Sequence, residues 1–218
     1  MCASYLIKKK DRTRTGIITD VRSDDFEQYY DQLIVPRSPA PVLLLDRKVV
    51  TVSRMQFSLL PSWSKEPKFQ FATHNARIES IFEKPTWKDA FAKRHCLVPL
   101  THFIEPIYDG EFAGHMVGFH SGDEKWLMAA GIWETWVNRA TGEVTESFAI
   151  ITTEPPEYIA RMGHDRCPVF VSANHQREWL ELQAPPQEMV QFLKSSQDQV
   201  DFGAESFRPM RPGWEKRK

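Results

Sequence analysis

Cysteine is scarce in this chain. Its three copies, Cys2, Cys96 and Cys167, are odd in number and far apart. That spacing excludes a disulfide framework, and no Cys-x-x-Cys pair or cysteine–histidine cluster offers a metal site. A reducing, cytoplasmic setting is the expectation. Net charge is nearly absent too: 28 Lys+Arg against 29 Asp+Glu leave −1. Any grip on a polyanion must therefore come from a local patch. No apolar run approaches the roughly 20 residues of a membrane-spanning helix. The opening MCASYLIKKK puts its charges after a very short apolar run, the reverse of a signal peptide. There is no internal repeat, no low-complexity tract and no domain boundary. What is present is a 41% hydrophobic, 12% aromatic chain of 218 residues, enough for one sizeable core in a single domain spanning residues 1–218.

The patterning predicts an α+β domain, mainly antiparallel sheet with a barrel-like core and flanking helices. ASYLI reads as a first strand ending in a basic loop. SDDFEQYYDQLI carries Phe26, Tyr29, Tyr30 and Leu33 at helical spacing behind a Ser23 cap, and predicts an amphipathic α-helix. VLLLDRKVVTVSRMQFSLL predicts a hairpin turning near residues 46–48. PSWSKEPKFQFATHNARIES has no clear period and reads as a long loop. A short helix with Trp87, Ala90 and Phe91 on one face follows. From HCLVPLTHFIEPIYDG onward strands dominate, with a short helix stopped at Gly163 and two late helices. Residues 205–218 read as a loosely held basic tail.

Several residues could carry chemistry. Asn75 and Arg77 lie two apart, so an extended segment points both to one face; Arg77 either grips a phosphate or pairs with an acid such as Glu79. Glu105 interrupts an apolar strand. It either meets water at the strand end or sits in a cleft, where desolvation fits it for proton transfer. His164, Asp165 and Arg166 follow the Gly163 stop. The imidazole is suited to carrying protons, while Arg166 either binds phosphate or pairs with Asp165. Trp63, near Lys65 and Lys68, is either a stacking platform for single-stranded nucleic acid or a plug at the core edge. His74 points away from Asn75 and reads as structural; Cys96 and Cys167 read as small core fillers. Cys2 is different. With Met1 removed it would offer an α-amine and a thiol on adjacent atoms, which no mid-chain cysteine can do.

The MC start, PSW, NAR, RHCLVPLTHFIEP, AAGIWE, FAIITT and GHDRCPV stand in one order between residue 2 and about residue 171. This resembles the SRAP family, the SOS-response-associated peptidase proteins, whose members form covalent crosslinks with abasic sites in single-stranded DNA. The resemblance implies Cys2 as N-terminal nucleophile, Asn75 as the group orienting its amine or the sugar, and Glu105 and His164 as proton carriers. It implies Arg77 and Arg166 as phosphate ligands and Trp63 as a base-stacking residue, with Lys65 and Lys68 along the groove. The expected partner is single-stranded DNA with abasic sites, bound by a monomer without cofactor, metal or membrane. Such a protein would sit at the nucleoid of a bacterium or in the nucleus of a eukaryote. Two other readings stay open: an N-terminal-nucleophile cysteine peptidase or self-processing enzyme, and a noncovalent single-strand binder. The chain departs from the family's usual Cys-Gly-Arg start with Cys2-Ala3-Ser4, and has Pro106 where a Trp is usual.

Overall fold

The computed structural model describes residues 4–9 and 14–217, except the side chain of 217. Strand β1 (Ser4–Leu6) opens the chain. β2 (Pro39–Asp46) and β3 (Val49–Phe57) form the predicted hairpin, and β4 (Asn75–Arg77) is a short strand at the end of the long loop. β5 (His95–Leu100) and β6 (His102–Ile107) follow α1 (Lys88–Lys93). Then come β7 (His115–Ser121), β8 (Leu127–Val137), β9 (Val144–Thr153), α2 (Glu157–Arg161), β10 (Cys167–Pro168), α3 (Gln176–Glu181), α4 (Pro186–Ser195) and β11 (Phe202–Pro209).

These strands make two sheets. β9, β3, β2, β5 and β8 hydrogen-bond in sequence, and β8 returns to β9, so five strands close into a barrel. The barrel is mixed because β3 and β9 run parallel, and β4 also lies parallel to β9. Closure demands close approach at Gly131, where a Cβ would stand 2.7 Å from Cys96 Sγ and 3.2 Å from the Ala149 carbonyl oxygen; glycine removes that conflict. Phe57 and Phe148 stack inside at 5.2 Å, with Tyr5 edge-on to Phe57. Each such buried ring contributes about 1.5–3 kcal/mol.

β5 is buried throughout, and apolar after His95, because both of its faces are covered. Trp179 of α3 lies outside it, donating its indole N–H to the Cys96 carbonyl and stacking on His95 at 4.0 Å. At Thr101 the chain leaves the barrel for a second, antiparallel sheet, ordered β1-β6-β7-β11.

The β2–β3 turn is two residues long, with Arg47 and Lys48 both at positive φ, the twist that a tight hairpin requires. Gly163, at φ 84°, ends the turn after α2 as its sequence position predicts.

Two segments differ from expectation. Ser23–Tyr29 is a 3-10 helix, and Ser23 does not cap it; Asp25 accepts from the Arg22 backbone N–H instead. Burying Phe26 and Tyr29, three residues apart, suits the three-residue turn. The segment read as a loose tail begins inside β11, which pairs along β7 from Phe202 to Pro209. Its side chains from Glu205 on are exposed, which left the sequence without an apolar signature there.

Candidate active site

Alternation along β6 decides what faces inward. Phe103, Glu105 and Ile107 share one face, and His102, Ile104 and Pro106 the other. Phe103 stacks on Phe119 at 5.1 Å and touches Phe170, so its face is the core face. Glu105 is therefore a carboxylate in the core, with no exposed surface. Of the two placements open from sequence, it takes the buried one.

Its partner arrives from the loop after α2. The Gly163 turn swings His164 inward, and its Nε2 stands 2.9 Å from Glu105 Oε2, with both side chains buried. Nδ1 lies 2.9 Å from the Arg166 carbonyl oxygen and 3.2 Å from the Arg166 backbone N–H. When Nδ1 carries a proton it donates to the carbonyl; when bare it accepts from the N–H. The ring can thus hold a proton at either nitrogen without moving, as proton transfer requires.

Arg166 fixes this loop. Rather than standing open for a phosphate, its guanidinium is buried, with two nitrogens at 3.0 Å from the two Glu79 oxygens and a 2.6 Å bond to the Thr152 carbonyl. Such a bidentate pair is directional as well as strong. Burial opposes the charged Glu79, but hydrogen bonds from Arg166 and its own backbone, with the charges of Arg166 and Arg77, hold its carboxyl below the ordinary range. Glu79 thus pairs with Arg166, leaving Arg77 exposed on β4. Asn75 is buried at the start of that strand, opposite Ile150 of β9. Cys167 adjoins the pair, but burial, reinforced by the charge of Glu105, pushes its thiol far up; burial alone does the same to Cys96. Neither is a nucleophile. Cys2 lies outside the described residues. Among the described residues, no group of three or more His, Cys, Asp or Glu is arranged to hold a metal ion.

A cavity of about 530 Å³ opens between the residue 36–37 turn and the 67–74 loop, with His74 in its wall. Trp63 is 50% exposed, its indole N–H on the Pro85 carbonyl at 3.2 Å. Its ring meets Phe69 at 5.5 Å, and Phe69 meets Phe71, 65% exposed, at 5.5 Å. Arg37 and Lys68 line the cavity, and Lys65 is exposed on the same loop. At the other basic stretch, Lys8 is taken by Glu205 at 2.6 Å.

Residues 1–205 match the SOS response associated peptidase (SRAP) family. The chain belongs to this family. It is 26% identical over 171 residues to abasic site processing protein YoaM of Bacillus subtilis (strain 168), a match covering 78% of this chain and 74% of the relative. It is also 26% identical over 196 residues to abasic site processing protein HMCES of Xenopus tropicalis, covering 77% of this chain and 58% of that protein. A crystal structure of a protein from Bacteroides thetaiotaomicron shares the fold, with a TM-score of 0.73 at 22% identity over 95% of this chain and 92% of the other.

In this SRAP chain the sequence pointed to Glu105, His164, Asn75 and Trp63, but not to Phe69, Phe71 and Arg37. The signal for the two phenylalanines was present as KFQF, alternating aromatics in a loop with no core to enter. Arg37 gave no signal, because its place at the cavity depends on a turn with φ 75°.

Proposed function

We propose that this chain traps abasic sites in single-stranded DNA, forming a thiazolidine at Cys2 after Met1 is removed. One observation carries the reading: the buried Glu105–His164 pair lies beside the first strand. Ser4 stands opposite Ile104, next to Glu105, and two residues of chain reach at most about 7 Å. Position 2 is thus tethered to the strand that pairs with the one carrying Glu105. Family membership and the names of the relatives support the same substrate.

The chemistry follows from the groups available. An abasic sugar opens to an aldehyde. The α-amine, with a pKa of about 8, is partly neutral at physiological pH and adds to the aldehyde carbon. The oxygen takes a proton and leaves as water, giving an imine. The thiol then adds to the imine carbon, its proton passing to nitrogen, and a five-membered ring closes. One water is lost in all. Glu105 and His164 exchange the protons, and the bound sugar supplies proximity. Asn75 orients the amine or the sugar. Exposed Arg77, with Arg37, Lys65 and Lys68, attracts the flanking phosphates, while Trp63, Phe69 and Phe71 give bases a surface to stack on.

The test is a denaturing gel of Met1-free protein mixed with a single-stranded abasic oligonucleotide. A heat-stable adduct is expected, and Cys2→Ala should abolish it. Undiminished adduct with Cys2→Ala overturns the assignment.

A further inference from the structure

His74, which alternation marks as structural, packs on Phe57, the same ring that Tyr5 of the first strand meets edge-on at 5.4 Å. Five of the seven histidines have a ring nitrogen fixed by a partner: His95 by the Trp179 and Phe91 carbonyls, His102 by Thr101, His120 by the Ser121 carbonyl, His164 by Glu105 and Arg166, and His175 by Ser172. The His74 ring makes no hydrogen bond among the described residues. It is half-buried, packs edge-on against Phe57 at 5.9 Å, and forms part of the wall of the 530 Å³ cavity. Its backbone carbonyl is anchored by the Ile150 N–H at 2.9 Å, so the ring is held while its nitrogens stay open.

The surroundings set its charge. Burial pushes the imidazole below its ordinary value, and the charge of Glu105, within electrostatic range, opposes this in part. Arg37 and Lys68 line the same cavity and add no negative charge. At neutral pH the ring carries a lone pair rather than a proton.

We propose that His74 is the neutral base of the reactive site, accepting the proton that the Cys2 nitrogen sheds as it bonds to the aldehyde carbon. This rests on the crosslinking reading above. In the step, the neutral amine attacks, the new C–N bond leaves a positive nitrogen, and one N–H proton passes to the imidazole. The carbonyl oxygen takes its proton from the Glu105–His164 pair. A separate base is needed because that pair is the donor in the same step. His74 is distinct from the groups the family resemblance implicates.

The experiment compares adduct formation by wild type, His74→Phe and His74→Gln between pH 5 and 8, under single-turnover conditions with an abasic oligonucleotide. His74→Phe keeps the packing on Phe57 and removes both nitrogens; His74→Gln keeps a polar group that does not titrate. Both should be slower by about tenfold near pH 7.5, below the roughly 10²–10⁴-fold usual for general acid–base catalysis because the amine is already partly neutral. The gap should close as pH falls below 6.5, the ordinary imidazole value, where His74 itself protonates. Affinity for a strand carrying a tetrahydrofuran, which has no aldehyde, should be unchanged. A gap independent of pH, or none, overturns the inference while wild-type adduct upholds the proposed function. No adduct from wild type overturns both.

Discussion

Two carboxylate–imidazole pairs share strand β6 and lie on opposite faces of it. On the core face, Glu105 meets His164 at 2.9 Å with both groups buried. On the other face, His102 meets Glu205 of β11 at 3.2 Å, but Glu205 is half-exposed and also held by Lys8 at 2.6 Å. Three residues along one strand separate a pair enclosed in the core from one that reaches the surface. In the outer pair the Lys8 hydrogen bond, acting against burial and helped by the charges of Lys8, His102 and His120, holds the Glu205 carboxyl below its ordinary value. Its charge joins the segment after β1 to β6 and β11. The inner pair is enclosed, and both nitrogens of His164 have a partner within hydrogen-bond distance. The same residue types stand in different surroundings because the two carboxylates differ in access to water.

The largest effect should come from breaking the inner pair while sparing the outer one. Glu105→Gln or His164→Ala should slow adduct formation by about 10²-fold, whereas Glu205→Gln should leave the rate within about twofold while lowering the melting temperature. Equal losses at both sites would erase the distinction. Next comes the support behind His164. Glu79→Gln leaves the buried Arg166 with half its carboxylate contacts, and should cost about 1–3 kcal/mol of stability by denaturant unfolding. Trp63→Ala or Phe71→Ala should weaken binding to a nonreactive single strand by about 1–3 kcal/mol each, with no change in the pH dependence of the chemistry. The smallest effect sharpens the outer pair. Because the folded Glu205 is more acidic than the 4.5 of the free side chain, its stabilisation is fully present above that value and is lost as pH falls through the lower folded one. The melting-temperature difference between wild type and Glu205→Gln should hold at pH 6–7 and shrink as pH drops below 4.5.

Much of this was legible in the sequence, for identifiable reasons. The hairpin, the apolar strands and α1 follow from periodicity and turn chemistry. Glu105 stood out because a charge in an apolar strand demands an explanation. The side of the strand it faces was not legible, since that depends on β6 packing Phe103 against Phe119 and Phe170, which are distant in sequence. The fate of Glu79 was hidden likewise: Arg77 was the near partner on offer for it, as Asp165 was for Arg166, and Arg166, 87 residues away, takes it. His74 was set aside because alternation turns it from Asn75, a statement about direction that says nothing of the cavity it enters. β11 escaped notice because an edge strand with exposed side chains has no pattern to display.

Whether the amino-terminal residue is the reacting group is best settled by peptide mass mapping of the adduct, formed without any reducing agent and digested on both the protein and DNA sides. A sugar remnant is expected on the peptide that begins at Cys2, attached with loss of one water and missing from the Cys2→Ala protein. A remnant on a lysine, or an adduct that survives only after borohydride trapping, would contradict it.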